Sequence, residues 1–342
     1  IFSVSNGGEL NLRNIHLANA YAEDNAGAIK VDGSRLNMTD CTITDSIAHN
    51  RETGPDTDPS GGGVFAEDDS VVGLVRTAIR RCIAHCTWMG MMTDYAAGGA
   101  IFARDYSIVH LTSCTISECA AINEYGRGDG EPAGGICSSG SACGYAEGGG
   151  IACNGETVLT IVGCTIDSCN ASAASSKSRG GGLHVDASAA VVFSDSTISN
   201  CRAFDTGTSL TSTGGWDLSA LGGGICVLSG SLELGNGAKI FGNLAYSNAF
   251  SNATVPAQSV AGRNLYLQGG EVFYRLPVPH GHWVPAGKCV MYREACSVFV
   301  DPADQAACNE NDAREACGVD TDDTEHGSGT EHPCPRRSFA HS

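Results

Sequence analysis

A short phrase that returns along the chain is the strongest constraint on its fold. Residues 113–121 read SCTISECAA, residues 163–171 read GCTIDSCNA, and residues 195–203 read DSTISNCRA. Each copy has an isoleucine that serves as an anchor and an alanine five residues later. The anchors are Ile43, Ile79, Ile116, Ile166, Ile198 and Ile240, with Leu17 as an earlier, weaker copy. Such a regular repeat predicts a solenoid in which each repeat packs against its neighbours.

Each repeat divides into a half of constant length and a half of variable length. A glycine-rich cluster ends 16 residues before the anchor, as Gly150 does before Ile166. The distance from an anchor to the end of the next cluster varies from 16 to 34 residues. We therefore expect a fixed scaffold with loops that emerge along one edge. The predicted loops are residues 49–60, 86–97, 122–147, 172–179, 204–221 and 246–261.

Apolar residues alternate in three short runs within each constant half, which indicates strands rather than helices. In one repeat these runs are Ile101/Ala103, Val109/Leu111 and Cys114/Ile116. Three strands joined by tight glycine bends close into a triangular coil. The sequence therefore predicts an all-β fold, a parallel β-helix of about seven coils with three strands per coil, over residues 1–275.

Small side chains fill the positions three and five residues after each anchor, and we expect both positions to lie at a crowded corner. The first column contains Ala20, Ser46, Cys82, Cys119, Cys169 and Cys201. The second column contains Ala22, Ala48, Ala84, Ala121, Ala171, Ala203 and Ala245. Cysteines stacked one coil apart are within the Cα distance range of a disulfide, yet their parallel side chains suit buried thiols as well. Both alternatives are open at this stage.

The coil pattern resembles the right-handed β-helix repeats of the pectin lyase-like superfamily. The stretch GGELNLRNIHLANAYAEDNAGAIKV and the recurrent GGGI followed by CTI..C.A are similar to polymorphic outer-membrane adhesins and to repeat regions of microbial and algal surface proteins. The resemblance covers residues 1–275 and implies a right-handed coil. It leaves function open, because this architecture is found in both enzymes and inert stalks.

Residues 276–342 form a different segment, which we predict to be irregular, acidic and rich in proline and cysteine. Proline cannot join the interior of a sheet, and the coil pattern stops before Pro277. The apolar content of this segment is too low for a core, so disulfides would have to order it. The predicted disulfide candidates are Cys137 and Cys143 in the longest loop, and Cys289, Cys296, Cys308, Cys317 and Cys334 near the C-terminus.

Composition narrows the range of partners. The formal net charge of −18 argues against a nucleic acid as partner. The chain contains no apolar run long enough to span a membrane, and it begins in mid-coil, which predicts a longer parent protein. The cysteine spacing indicates no metal site, and no cofactor is expected. Glycosylation sequons at Asn37, Asn170 and Asn252 are compatible with export.

Enzymes of the pectin lyase-like superfamily use clustered acidic, basic and imidazole groups on the outer face of one sheet, and this chain offers few. The weak catalytic candidates are His184, Asp186 and Arg104. Glu67 and Asp186 are three coils apart, about 14 Å at the strand spacing, which is too far for paired carboxylates. A third hypothesis is an ice-binding face, built from pairs such as Thr115/Ser117 and Thr165/Asp167.

We therefore expect a non-catalytic extracellular or cell-surface segment with a structural or adhesive role in a larger protein. Its partners would be other segments of that protein or assembly, and a carbohydrate or protein ligand would bind at the loop edge. The alternative is a polysaccharide lyase or glycoside hydrolase of the pectin lyase-like type, and the ice-binding face is a remote alternative.

Overall fold

The computed structural model describes residues 2–23, 25–50, 59–87, 95–124, 145–173, 177–205, 220–247, 260–268 and 270–274. These residues form strands and turns, and they include no helix with the length and apolar character needed to cross a bilayer. Each strand pairs in parallel with the equivalent strand of the next coil, so the described chain winds into a parallel β-helix.

Three of its sheets form the sides of the coil, and they are the three that apolar alternation predicts. Sheet A contains Phe2–Val4, Ile29–Asp32, Val64–Glu67, Ile101–Ala103, Ile151–Cys153, Leu183–Val185, Ile225–Val227 and Leu265–Leu267. Sheet B contains Glu9–Arg13, Arg35–Thr39, Val71–Val75, Ile108–Thr112, Val158–Val162, Ala190–Ser194, Ser231–Leu234 and Glu271–Tyr274. Sheet C contains His16–Ala18, Thr42–Thr44, Ala78–Arg80, Thr115–Ser117, Thr165–Asp167, Thr197–Ser199 and Lys239–Phe241.

The anchor residues stack in register along sheet C and point into the coil. Ile116 pairs with Ile79 on one side and with Ile166 on the other, and all three are buried. Alternate residues of sheets A and B, such as Ile101 and Leu111, join them in one continuous apolar core. Sheets A and B each have eight described strands, one more than the predicted seven coils.

Two further sheets add strands to the three that we predicted for each coil. Sheet D contains Tyr21–Ala22, Ile47–Asn50, Ile83–Cys86, Ala120–Asn123, Asn170–Ala173, Arg202–Asp205 and Leu244–Ser247. Sheet E contains Tyr95–Ala97, Tyr145–Glu147, Ser178–Arg179, Ala220–Leu221 and Val260–Ala261. We call these two sheets together the side arm.

The alanine column belongs to the side arm, and its placement at a corner of the coil was wrong. Ala121 lies within a strand of sheet D and packs with Ala84, Cys86 and Ala96 in a small cluster of their own. The equivalent clusters in later coils are Ala146, Ala171 and Ala173, then Ala203, Ala220 and Ala245. Small side chains are required at these positions because the strands of sheets D and E pack closely against each other there. The chain does not bend at the alanines.

The cysteine column does lie at a corner, between sheets C and D. The residue before each corner cysteine has a positive φ, 56° at Glu118 and 55° at Ser168. The thiol then donates a hydrogen bond to the carbonyl two residues earlier, as Cys119 does to Ser117 at 3.3 Å. The same carbonyl accepts a backbone hydrogen bond from Arg81 of the previous coil at 3.0 Å, so the thiol is a second donor to it.

The described cysteines are free, buried thiols, so within these residues the thiol alternative holds. They are Cys41, Cys82, Cys86, Cys114, Cys119, Cys153, Cys164, Cys169, Cys201 and Cys226. The predicted disulfide candidates lie outside the described residues, as do Asn252 and all of residues 275–342, where the predicted boundary of the acidic segment falls. Bridges at those positions stay a prediction.

The side arm also places the loop attachment points. Strands of sheet D end at Cys86, Asn123 and Ala173, and strands of sheet E begin at Tyr95, Tyr145 and Ser178. Because the strands of each sheet are parallel and in register, their ends form two rows along the solenoid. The connections of successive coils therefore start and finish at one edge, which agrees with the predicted loop edge.

Candidate functional site

The outer face of sheet A holds the predicted catalytic candidates, and the structure covers it. Phe65, Phe102, Ala152, His184 and Cys226 follow one another along this face, and each is at most 1% exposed. Our expectation that His184 is a surface histidine was therefore wrong. The reason is that the chain folds back after sheet D, so that side chains of sheet E pack onto sheet A.

A buried polar cluster occupies the later coils of this covered face. Glu147 on sheet E accepts a hydrogen bond from Arg179 at 2.7 Å, and its other carboxylate oxygen lies 3.6 Å from His184 Nε2. The Arg179 guanidinium also lies over the Tyr145 ring, 4.3 Å from its centroid. We call Glu147, Arg179 and His184 the buried triad. The negative charge of Glu147 and the positive charge of Arg179 compensate each other in a site with little solvent.

The triad favours an uncharged imidazole. Burial lowers the pKa of His184, and the opposing effect of the Glu147 carboxylate does not offset it. Both ring nitrogens are buried without a hydrogen-bond partner among the described residues. A general acid or base must reach a substrate proton at hydrogen-bond distance. A side chain that is 1% exposed does not present its nitrogens to a substrate in solution.

The other two catalytic candidates are not brought to His184 as hydrogen-bond partners. Asp186 accepts hydrogen bonds from the backbone of Ala187 and from the Ser229 hydroxyl, both at 2.7 Å. Arg104 donates to Glu67 at 2.7 Å, two coils away from His184 along sheet A. The three side chains thus belong to three separate sets of contacts.

Glu67 is the centre of a second charged group on sheet A. Its carboxylate pairs with Lys30 at 2.8 Å and with Arg104 at 2.7 Å, and both cations lie within 5.5 Å of the Phe65 ring centroid. Burial raises the pKa of Glu67, but the hydrogen bonds from Lys30 and Arg104 outweigh it and hold the pKa below its ordinary value. A carboxylate that is paired twice is a structural ion, not a free base.

An outward-facing row on sheet D was missed by the sequence analysis. The Tyr21 hydroxyl lies 3.2 Å from His49 Nδ1, the His49 and His85 rings are 5.0 Å apart, and His85 lies 3.3 Å from the Glu124 carboxylate. The two histidines occupy the position one residue after the alanine column, whereas Tyr21 lies one residue before it. Reading the repeated phrase one residue further would have revealed a column that contains two histidines.

The threonine face of sheet C is interrupted. Asp167 accepts hydrogen bonds from Ser199 at 2.7 Å and from Asn200 at 2.8 Å, so neighbouring coils are bonded to each other rather than presented as a uniform array. Arg80 and Phe241 are exposed in the same face. Within the described residues, no group of three or more His, Cys, Asp and Glu side chains is placed to hold a metal ion.

Comparison with known proteins agrees with this architecture. The family described as "Right handed beta helix region" matches residues 1–255 of the 342-residue chain. The search of curated proteins gave no significant match. The search of solved structures likewise gave none. Since the family match covers well over half of the chain and the described sheets are parallel and stacked, the chain belongs to the family of right-handed β-helix regions.

Proposed function

We propose that this β-helix is a non-catalytic scaffold of an extracellular surface protein, with a structural or adhesive role, and that it displays the connections between sheets D and E to a carbohydrate or protein ligand. The observation that carries the proposal is the pair of rows formed by the ends of the sheet D strands and the beginnings of the sheet E strands. Binding usually resides in loops that a rigid framework positions.

The framework tolerates large differences in connection length. Residues 124–144 join sheet D to sheet E in one coil, whereas residues 174–177 make the equivalent connection in the next. The flanking strands nevertheless keep the same register, with Ala121 paired to Ala171 and Ala146 paired to Ser178. Loop entropy rises only slowly with loop length, so these connections can diversify without a large penalty to the coil.

The buried thiols are compatible with an extracellular location. Burial raises the pKa of Cys153 to about 12, and it also raises the pKa values of Cys119 and Cys201 well above the ordinary thiol range. The thiolate is the reactive form of cysteine, so these side chains are protected from oxidation while the coil is folded. Asn170, one of the sequons, lies on an outward-facing position of sheet D and is partly exposed.

The enzyme alternative is less well supported by the geometry. It depends on His184, which is buried, with help from Asp186 and Arg104, which are engaged elsewhere. A scaffold requires only that the coils fold and the connections be presented. The separation of the three candidates therefore favours the scaffold over a polysaccharide lyase or glycoside hydrolase.

Two measurements on the full chain test the proposal. The first is cleavage of polygalacturonate, alginate and other acidic polysaccharides, for which we expect no turnover. Turnover that disappears in a His184→Ala variant with an unchanged circular dichroism spectrum would establish the enzyme instead.

The second measurement compares binding to arrays of glycans and extracellular matrix proteins before and after residues 125–144 are replaced by four Gly/Ser residues. We expect an unchanged melting temperature and loss or change of the bound set. The matched control replaces residues 174–176 by three Gly/Ser residues, which keeps the length of a short connection. Loss of folding in the 125–144 variant would contradict the scaffold proposal.

A further inference from the structure

The outer face of sheet B is an exposed sheet surface with an apolar middle. Its outward residues in the four central strands include Val71, Val75, Ile108, Val158, Val162 and Val192. Ile108 is 37% exposed and Val158 is 41% exposed. The register places these side chains side by side, in adjacent strands and on the same side of the sheet. We call the outward residues of sheet B the sheet B face.

Such a face is unusual for a parallel sheet. Parallel sheets are ordinarily covered on both sides, and on sheet A the side arm supplies the cover. The side arm begins where sheet C ends and returns to sheet A, whereas sheet B lies between A and C along each coil. The arm therefore covers neither sheet B nor sheet C, and of these two sheets it is sheet B whose outer face has an apolar middle.

The charges at the two ends of the sheet B face have opposite balance. The first two strands contribute Arg13 and Arg35 with Glu9, a positive balance, and the last two contribute Glu233 and Glu271, a negative one. If a second copy lies face to face with its coils in reverse order, Arg35 of each copy lies near Glu233 and Glu271 of the other, while Glu9 lies opposite Glu271. The apolar strands in the middle then meet each other.

We propose that the sheet B face is an interface between two copies of this chain, related by a two-fold axis that runs along the strands between the fourth and fifth strands of sheet B. Reversal pairs the strand Arg35–Thr39 with the strand Ser231–Leu234 of the second copy, and Ile108–Thr112 with Val158–Val162. Arg35 then lies within reach of Glu233 and Glu271 of the second copy. An isologous contact of this kind closes on itself and forms a dimer rather than a filament.

The size of the face suits a dimer. Eight strands at about 4.8 Å and five residues at about 3.3 Å give roughly 38 by 17 Å, or about 640 Å² for each copy. The pair would bury about 1,300 Å², which is within the range of specific interfaces. The four apolar strands supply about half of that area, in the middle of the patch, where binding energy concentrates.

Two other occupants of the face are distinguishable from a second copy. The acidic segment 276–342 could fold onto the sheet B face, and the chain would then be a monomer. A glycan on Asn37, which lies on this face, would obstruct a second copy at the positive end. A second copy is favoured because its apolar strands meet those of the first copy in the middle of the face, whereas the acidic segment has too little apolar content to cover them.

The first experiment measures the mass of the purified full chain by sedimentation equilibrium at micromolar concentration. We expect a species of twice the 35.2 kDa chain mass. The variants Ile108→Lys and Val158→Lys should raise the dimer Kd by more than about 30-fold, because each places a charge at the apolar centre. Thr115→Lys, on sheet C of the same coil as Ile108, is the matched control and should leave the Kd unchanged.

The second experiment tests the reversed order of the coils. The variant Arg35→Glu and the double variant Glu233→Lys, Glu271→Lys should each dimerise about 10-fold more weakly than the parent at low salt, because like charges then meet at both ends. An equimolar mixture of the two should recover the parent Kd to within about 2-fold, because opposite charges meet again at both ends of the heterodimer.

Several results would overturn the proposal. These are a monomeric parent chain at 100 µM, a mass spectrum that shows a glycan on Asn37 in the native protein, or equal dimerisation of the Ile108→Lys and Thr115→Lys variants. If an equimolar mixture of the Arg35→Glu variant and the Glu233→Lys, Glu271→Lys variant does not recover the parent Kd, the reversed order of the coils is refuted. Unchanged melting temperatures for all variants at a concentration that keeps them monomeric would show that the substitutions act on association and not on folding.

Discussion

Replacing Gly99 with alanine tests how closely the side arm approaches the coil. A Cβ atom at residue 99 would lie 2.5 Å from the backbone C and N atoms of Ala120, where sheet D begins, and nearer still to the carbonyl oxygen of Gly149 in the next coil. Favourable contact between carbon atoms needs about 3.5–4.0 Å. The arm and the coil would therefore have to separate by about 1 Å at this position.

The cost of that separation can be estimated from the atoms involved. Overpacking a tight site costs about 1–3 kcal/mol, and we expect the upper value because the obstructing atoms are backbone and cannot rotate away. Alanine also lowers the conformational entropy of the unfolded chain relative to glycine, which stabilises the folded state by about 0.5–1 kcal/mol. The net loss is about 2 kcal/mol, or about 4–8 °C in melting temperature for a domain of this size.

Gly73→Ala is the matched control. Gly73 lies on the outer face of sheet B, and the nearest atom to an added Cβ is Asn37 Oδ1 at 3.1 Å, the end of a side chain that can move. We expect its melting temperature to stay within about 2 °C of the parent. Both variants are unfolded thermally under circular dichroism at one low protein concentration. Equal melting temperatures for the two variants would refute the close approach of arm and coil.

Three further changes probe the arm, the corner and the buried triad. Ala121→Leu and Ala171→Leu should each cost about 1–3 kcal/mol in urea denaturation, and a neutral result for both would mean that the alanine clusters are not tightly packed. Cys119→Val should lower the free energy of unfolding by about 1–3 kcal/mol, because valine leaves the Cys82 N–H, which lies 3.4 Å from the Cys119 sulfur, without an acceptor. Cys119→Ser should lower it less. A larger loss in the serine variant than in the valine variant would contradict the hydrogen-bonding role of Cys119. Because burial lowers the pKa of His184 in the folded chain, the unfolded chain binds a proton that the folded chain does not, and the free energy of unfolding should fall as the pH drops below about 6.5. The urea midpoints at pH 5 and pH 8 should therefore differ less in the His184→Gln variant than in the parent. An equal difference in the two proteins would assign the pH effect to other groups.

The three sides of the coil could be predicted from sequence because each carries a clear two-residue alternation. Ile101 and Ala103 point inward on sheet A, as Val109 and Leu111 do on sheet B. The register also followed, since equivalent anchors must stack when one face is buried. The corner at Cys119 was predicted from the recurring small side chains, whereas the positive φ at Glu118 just before it was not.

The side arm could not be predicted in the same way, because its apolar positions are mostly alanines. Ala121 and Ala146 bury little surface, and the strands of sheet E are only two or three residues long. Both sheets therefore resembled the variable loops in sequence. Glu147 and Arg179 fell within those predicted loops, so their approach to His184 depended on a fold-back that no local pattern indicated.

The covered face of sheet A also bears on how the connections are held. If the side arm moved away from the coil, Phe65 and Phe102 would be exposed to water, and Glu147 and Arg179 on the arm would separate from His184 on the coil. Apolar exposure of two phenylalanine side chains alone costs about 3–6 kcal/mol. The arm is thus fixed to the coil, not hinged on it. The strand ends that hold the connections therefore keep a constant spacing of about 4.8 Å per coil, so a ligand that contacts several connections at once loses little ordering entropy at the scaffold.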